Sequence, residues 1–190
     1  MSRRPPLQRP RVVSCFLSLL KVPLMFDALQ TEMLPEEDDA AEIPRYFLSQ
    51  GEIVCSQEPA VISTVLGSCV ALCLYDPRRR IGAMNHYVLP STKSEDKNLR
   101  YGNVAIPALI DAMTKRGSKL SDLQAKFFGG AAGAEGTATR IAASNAEIAA
   151  QTLKNLGIPV TAQSTGGRKG CVIYMHTFSG EVLVRRLTQH

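Results

Sequence analysis

Two apolar runs lie within residues 64–90, separated by Asp76-Pro77-Arg78-Arg79-Arg80. Both runs are rich in aliphatic residues, and Asp-Pro starts turns, so the pattern predicts a β-hairpin. Upstream, 51–56 reads as a strand, and 60–66 leads into the hairpin. The polar stretch 90–99 reads as a surface loop, well placed to gate a site or touch a partner. Ile106, Leu109, Ile110 and Met113 then recur at helical spacing, predicting a helix capped by Asn103 and ended by Gly117. Residues 123–128 read as a strand running into a glycine-rich loop, 129–136. A second helix is predicted over 139–156, with Ile141, Asn145, Ile148 and Thr152 on one face and Gly157 and Pro159 closing it. Strands are expected at 160–164, 171–175 and 181–187, turned by Gly166-Gly167 and Ser179-Gly180. Strands at both ends and two main helices predict an α/β fold, a layered sandwich built on mixed or antiparallel β-sheet.

The first 45 residues differ from the rest. They carry arginines among prolines, a short apolar run at 12–20 and an acidic, linker-like stretch at 35–39, with a weak amphipathic anchor as the alternative reading. A poorly ordered extension is expected over 1–45 and a folded domain over 46–190. The apolar run is too short to span a bilayer, so stable membrane insertion is not expected. At 190 residues the chain is long enough for one domain with a full core. Its five cysteines (15, 55, 69, 73 and 171) are odd in number and form no Cys-x-x-Cys pair. Reduced thiols and a cytoplasmic location are therefore expected, with no disulfide framework. The net charge of +5 divides into −1 over residues 1–46 and +6 over the remainder. A mildly basic domain suits an acidic protein surface; without aromatic residues interleaved among the basic ones, nucleic acid is not an expected partner. The glycine-rich loop fits neither common phosphate-binding spacing, which leaves close backbone approach as its reading.

The candidate chemistry sits in the hairpin. Cys69 and His86 are equidistant from a turn placed between Pro77 and Arg78, which would set their Cβ atoms about 4.5–5.5 Å apart. A thiol and an imidazole at that distance can share a proton, the minimum for a cysteine nucleophile. Core packing is the competing reading for a cysteine in an apolar strand. Gly67 and Ser68, just before the cysteine, offer a low-bulk approach with backbone N–H groups for a ligand, and Asn85 precedes the histidine. A zinc site from Cys69, Cys73 and His86, with His176, is disfavoured because cysteines four apart on a strand are more than about 10 Å apart.

Several segments, in order, resemble the CheD family of chemoreceptor glutamine deamidases. They are Leu66-Gly67-Ser68-Cys69-Val70-Ala71-Leu72-Cys73-Leu74-Tyr75-Asp76-Pro77, Gly82-Ala83-Met84-Asn85-His86-Tyr87-Val88-Leu89-Pro90 and Arg100-Tyr101-Gly102-Asn103-Val104-Ala105. Phe128-Gly129-Gly130-Ala131, Asn145-Ala146-Glu147, Ile158-Pro159-Val160 and Gly166-Gly167 continue the match. The resemblance implies an α/β sandwich and a Cys–His pair, with the nucleophile on Cys69 and the base on His86. It also implies a hydroxyl residue shortly before the cysteine, for which Thr64 and Ser63 both stand as candidates. Gly67, Ser68 and Asn85 fall in the substrate and oxyanion vicinity. The implied reaction converts receptor glutamine to glutamate through a thioester, with no metal or organic cofactor. Implied partners are the cytoplasmic helices of methyl-accepting chemoreceptors and a CheC-type chemotaxis phosphatase. The alternative is a binding partner of that phosphatase or of the receptor, with weak or no catalysis. Ser144 and the Ser164–Cys171 region depart from the family pattern, which bears on partner handling more than on the chemistry.

Overall fold

The computed structural model describes residues 43–95, 97–132 and 136–188. Residues 1–42 of the extension expected over 1–45 lie outside the described residues. The strands are β1 (Arg45–Phe47), β2 (Ile53–Ser56), β3 (Val61–Leu66), β4 (Val70–Asp76), β5 (Ile81–Tyr87), β6 (Gln124–Gly129), β7 (Val160–Thr165), β8 (Cys171–His176) and β9 (Val182–Arg186). The helices are α1 (Gly102–Thr114) and α2 (Thr137–Asn155). One sheet has the order β1-β3-β8-β9 and the other β2-β5-β4-β6-β7. The pairs β1/β3 and β6/β7 are parallel and the others antiparallel, so both sheets are mixed, as the α/β sandwich expectation has it.

Two cores define three layers. Between the sheets lie Ile62, Leu66, Ile173 and Met175 from one side and Ala71, Cys73, Met84 and Phe128 from the other, with Leu48. On its opposite face the five-stranded sheet packs Val70, Leu72, Leu74, Ile81 and Ala83 against Ile106, Leu109 and Met113 of α1 and Ala149 and Leu153 of α2. β4 and β5 are therefore covered on both faces. That is why they read as unbroken apolar runs rather than as alternation.

The hairpin forms, with a register two residues from the expected one. β4 and β5 pair from Val70↔Tyr87 to Asp76↔Ile81, leaving residues 77–80 as the turn. Asp76 lengthens it: its Oδ1 accepts from the amides of Arg78 at 2.9 Å and Arg79 at 3.1 Å. The arginine run at the tip is tied down rather than merely hydrated. Arg79 reaches Asp76 at 3.2 Å and Asp122 at 3.1 Å, and Arg80 stacks 4.5 Å over the Phe178 ring. Asn103, expected as a helix cap, lies inside the first turn of α1, whose N-cap is Tyr101 without a side-chain bond. The Asn103 amide instead clasps Thr92, accepting from its N–H at 3.1 Å and donating to its carbonyl at 3.0 Å, which ties down the start of the 90–99 loop.

Candidate active site

The site forms where the chain crosses from one sheet to the other. β3 ends at Leu66, residues 67–69 cross, and β4 begins at Val70. The crossover puts Thr64, near the end of β3, and Cys69, immediately before β4, at the same inter-sheet edge. β5, next to β4, adds His86.

Ala71, not Cys69, stands opposite His86. Residues two apart on a strand share a face, so Cys69 lies diagonal to His86 on the side that looks toward the other sheet. A shift by an even number of residues lengthens the separation but keeps both side chains on that face. Asn85 fares differently. Its neighbour on the partner strand is Leu72, and it points into the helix layer. There its Oδ1 accepts from Leu72 N at 3.0 Å and its Nδ2 donates to the Ala105 carbonyl at 3.0 Å. Asn85 is thus a buried strut on the far face of the sheet, and its expected place near the substrate is corrected.

His86 is 3% exposed. Its Nδ1 lies 2.8 Å from Thr64 Oγ1, which also lies 2.7 Å from the Leu48 carbonyl. A carbonyl only accepts, so the single hydroxyl proton goes to Leu48 and Thr64 accepts from Nδ1–H. This sets the tautomer: Nε2 carries the lone pair. Nε2 is buried and has no hydrogen-bond partner. Burial pushes the imidazole below its ordinary pKa; the Leu48 carbonyl opposes this, the Arg100 charge adds to it and Glu52 opposes it. Ser63 lies on the other side of β3 and bonds the Tyr46 carbonyl at 3.3 Å, so of the two hydroxyl candidates Thr64 meets the ring.

Cys69 is 8% exposed. Burial raises its thiol above the ordinary value, opposed by its own backbone amide and by the Arg100 charge. Burial thus acts on the two groups in the same sense, favouring the thiol of Cys69 and the neutral imidazole of His86. Cys73, four residues further along and in the inter-sheet core, is pushed up to about 12 by burial.

The crossover is gripped from behind. The carbonyls of Gly67, Ser68 and Cys69 accept from Ala131 N (2.7 Å), Asn145 Nδ2 (3.0 Å) and Gly130 N (2.7 Å). Asn145 also donates to Val88 O at 2.7 Å, bracing the end of β5 against the crossover. A Cβ on Gly129 would stand 2.2 Å from the Cys69 carbonyl, so the glycine-rich loop serves close backbone approach. Among the described residues the amides of Gly67 and Ser68 donate to no protein acceptor. Sequence reasoning missed Asn145 as a brace. Its signal was an amide on a helix face that also carries Ile141 and Ile148, and it is fully buried. It also missed Gln50 and Arg100, exposed residues of two loops, for which periodicity offers no signal.

Residues 88–186 match the family model described as CheD chemotactic sensory transduction. The "Probable chemoreceptor glutamine deamidase CheD" of Rhodospirillum rubrum is 46% identical over 149 residues, covering 76% of this chain and 84% of that one. The "Chemoreceptor glutamine deamidase CheD" of Thermotoga maritima is 37% identical over 139 residues, 72% of this chain and 88% of that one. Among solved structures, the Bacillus licheniformis hypothetical protein YfiH aligns with a TM-score of 0.41 at 15% identity, over 59% of this chain and 49% of that one, a weak and partial likeness. Among the described residues no helix is long and apolar enough to cross a membrane. With 46% identity across most of both chains, this chain belongs to the CheD family.

Proposed function

We propose that the protein deamidates glutamine side chains of chemoreceptors through Cys69, with His86 as base and Thr64 as the residue that orients it. The observation that carries this reading is the bare Nε2 of His86, on the same face of the sheet as Cys69, with Nδ1–H held by Thr64. Leaving a buried nitrogen unpaired costs roughly 1–3 kcal/mol, a cost that a purely structural histidine has no reason to carry.

In this reading Nε2 takes the Cys69 proton as sulfur attacks the carboxamide carbon. The C–O π bond becomes an oxyanion, and the unclaimed amides of Gly67 and Ser68 are the nearest donors for it. The C–N bond breaks as His86 returns the proton to nitrogen, releasing ammonia and leaving a thioester. His86 then deprotonates a water, whose oxygen displaces the thiol, giving glutamate and the starting enzyme. Burial raises the thiol and lowers the imidazole, which favours proton transfer that accompanies attack over transfer that precedes it. A substrate on the cytoplasmic helices of a receptor places the enzyme in the cytoplasm.

The test is ammonia release from a receptor cytoplasmic fragment. Wild type is expected to turn over, and Cys69→Ala and His86→Ala to lose at least about 10³-fold. Equal rates from wild type and Cys69→Ala reject the reading. The second reading, a non-catalytic partner of the receptor or of a CheC-type phosphatase, draws on the low exposure of Cys69. Capture of such a phosphatase by wild type and Cys69→Ala alike, with no turnover by wild type, is the result it requires.

A further inference from the structure

Cys69 is nearly buried, and one side chain from a neighbouring turn reaches its sulfur. Gln50 Nε2 lies 3.8 Å from Cys69 Sγ. Gln50 Oε1 accepts from Arg100 Nη2 at 2.9 Å. Arg100 can only donate, so it fixes the amide's orientation, oxygen toward the guanidinium and nitrogen toward the sulfur. The main chain beneath Gln50 is anchored to the site. Gly51 N donates to the His86 carbonyl at 2.7 Å, and His86 N donates to the Glu52 carbonyl at 3.2 Å. Ser49 N donates to Glu52 Oε2 at 2.7 Å, closing the turn. Gly51 has φ +79°, and a Cβ there would meet Arg100 Cγ at 2.8 Å, so Arg100 lies across the turn. Gln50, Leu48, Thr64, Val65 and His86 line one open cavity of about 530 Å³.

We propose that the Gln50 side chain is a resident carboxamide that caps Cys69, held by Arg100, and that a substrate glutamine must displace it. The displacing group is glutamine only if the deamidase reading holds; the cap itself rests on geometry alone. The occupant has the same functional group as the substrate and sits in the cavity that holds the base. It is presented amide nitrogen first, so it competes without offering its carbonyl carbon to the sulfur. Sulfur is a weak acceptor and Gln50 is otherwise exposed, so the cap is loosely held. Its main chain is not: the turn stays while the side chain swings out. Substrate affinity is then reduced by the fraction of molecules that are uncapped.

Alkylation of Cys69 by iodoacetamide in the full chain, followed by peptide mass spectrometry with Cys55 as internal control, reads the cap directly. Gln50→Ala is expected to speed Cys69 alkylation about three- to tenfold over wild type, without change at Cys55. Gln50→Glu keeps the bond to Arg100 but places a negative charge by the thiol, and is expected to slow it. With a receptor fragment, the gain of Gln50→Ala appears as a lower KM rather than a higher kcat, which a merely structural role would not produce. Alkylation of Gln50→Ala at or below the wild-type rate overturns the proposal, and Gln50→Ser replaces it if the alanine variant does not fold. If Gln50→Ala accelerates alkylation while no form releases ammonia, the cap stands and the deamidase reading falls. If ammonia release depends on Cys69 but alkylation ignores Gln50, the reverse holds.

Discussion

Asn85 and His86 are neighbours on one strand, both polar and both buried, and they serve opposite ends. Asn85 faces the helices and bonds β4 on one side and α1 on the other. His86 faces the second sheet, with Nδ1 held by Thr64 and Nε2 left bare. A strut is finished when its bonds are made; the proposed base differs in having one ring nitrogen left open. What separates the two is only the alternation of side chains along a strand, which sends consecutive residues to different layers.

The comparison breaks first if Asn85 proves chemical. Asn85→Ala removes the bonds to Leu72 N and to the Ala105 carbonyl in the helix-side core, so a loss of about 1–3 kcal/mol in denaturant unfolding is expected. kcat should stay within about twofold wherever the variant is folded, since small effects on rate accompany changes remote from the reacting atoms. A stable, inactive Asn85→Ala would put Asn85 in the site after all.

Next comes the bond that orients the base. Thr64→Val keeps the shape but leaves Nδ1–H and the Leu48 carbonyl without the hydroxyl between them. A fall in kcat on the order of tenfold to a hundredfold is expected, with Thr64→Ser restoring most of it. Equal activity of the valine and serine variants would show that the ring needs no such guide.

A smaller effect concerns pH. His86 must be neutral to act, and burial lowers its pKa below the ordinary 6.5. The acid limb of kcat/KM is thus expected to have its midpoint below 6.5, with activity lost as pH falls through the lowered value. Stability runs with it: the unfolded chain takes up the proton first, so the folded state loses ground as pH drops from 6.5 toward the folded pKa. An acid limb centred above 6.5 would mean that the ring is not desolvated in solution. The smallest expected change is Ser63→Ala, which loses one 3.3 Å bond to Tyr46 and should alter kcat by less than about twofold. A larger loss would hand the orienting role to the wrong side of β3.

Much of this was written in residue order. Apolar runs located most of the strands, and a cysteine and a histidine flanking one turn marked the candidate site. Register was not legible, because Asp76 draws two amides into its turn and lengthens the loop, a local contest that apolar pattern does not record. The face of Asn85 was illegible for the same reason, since a strand buried on both sides shows no polar side. Asn145, Gln50 and Arg100 came from elements far along the chain, and only the packed structure shows what each reaches.

By itself the sequence settled which elements form and which groups are available for chemistry, because those follow from local periodicity and residue type. Only the tertiary structure decided that Thr64 is the hydroxyl at the ring, that Nε2 is the open nitrogen, and that Gln50 lies over the sulfur. Each of these is a meeting of segments from different sheets or loops. Which segments meet depends on how the two cores close as a whole, a global optimum that no stretch of the chain encodes alone.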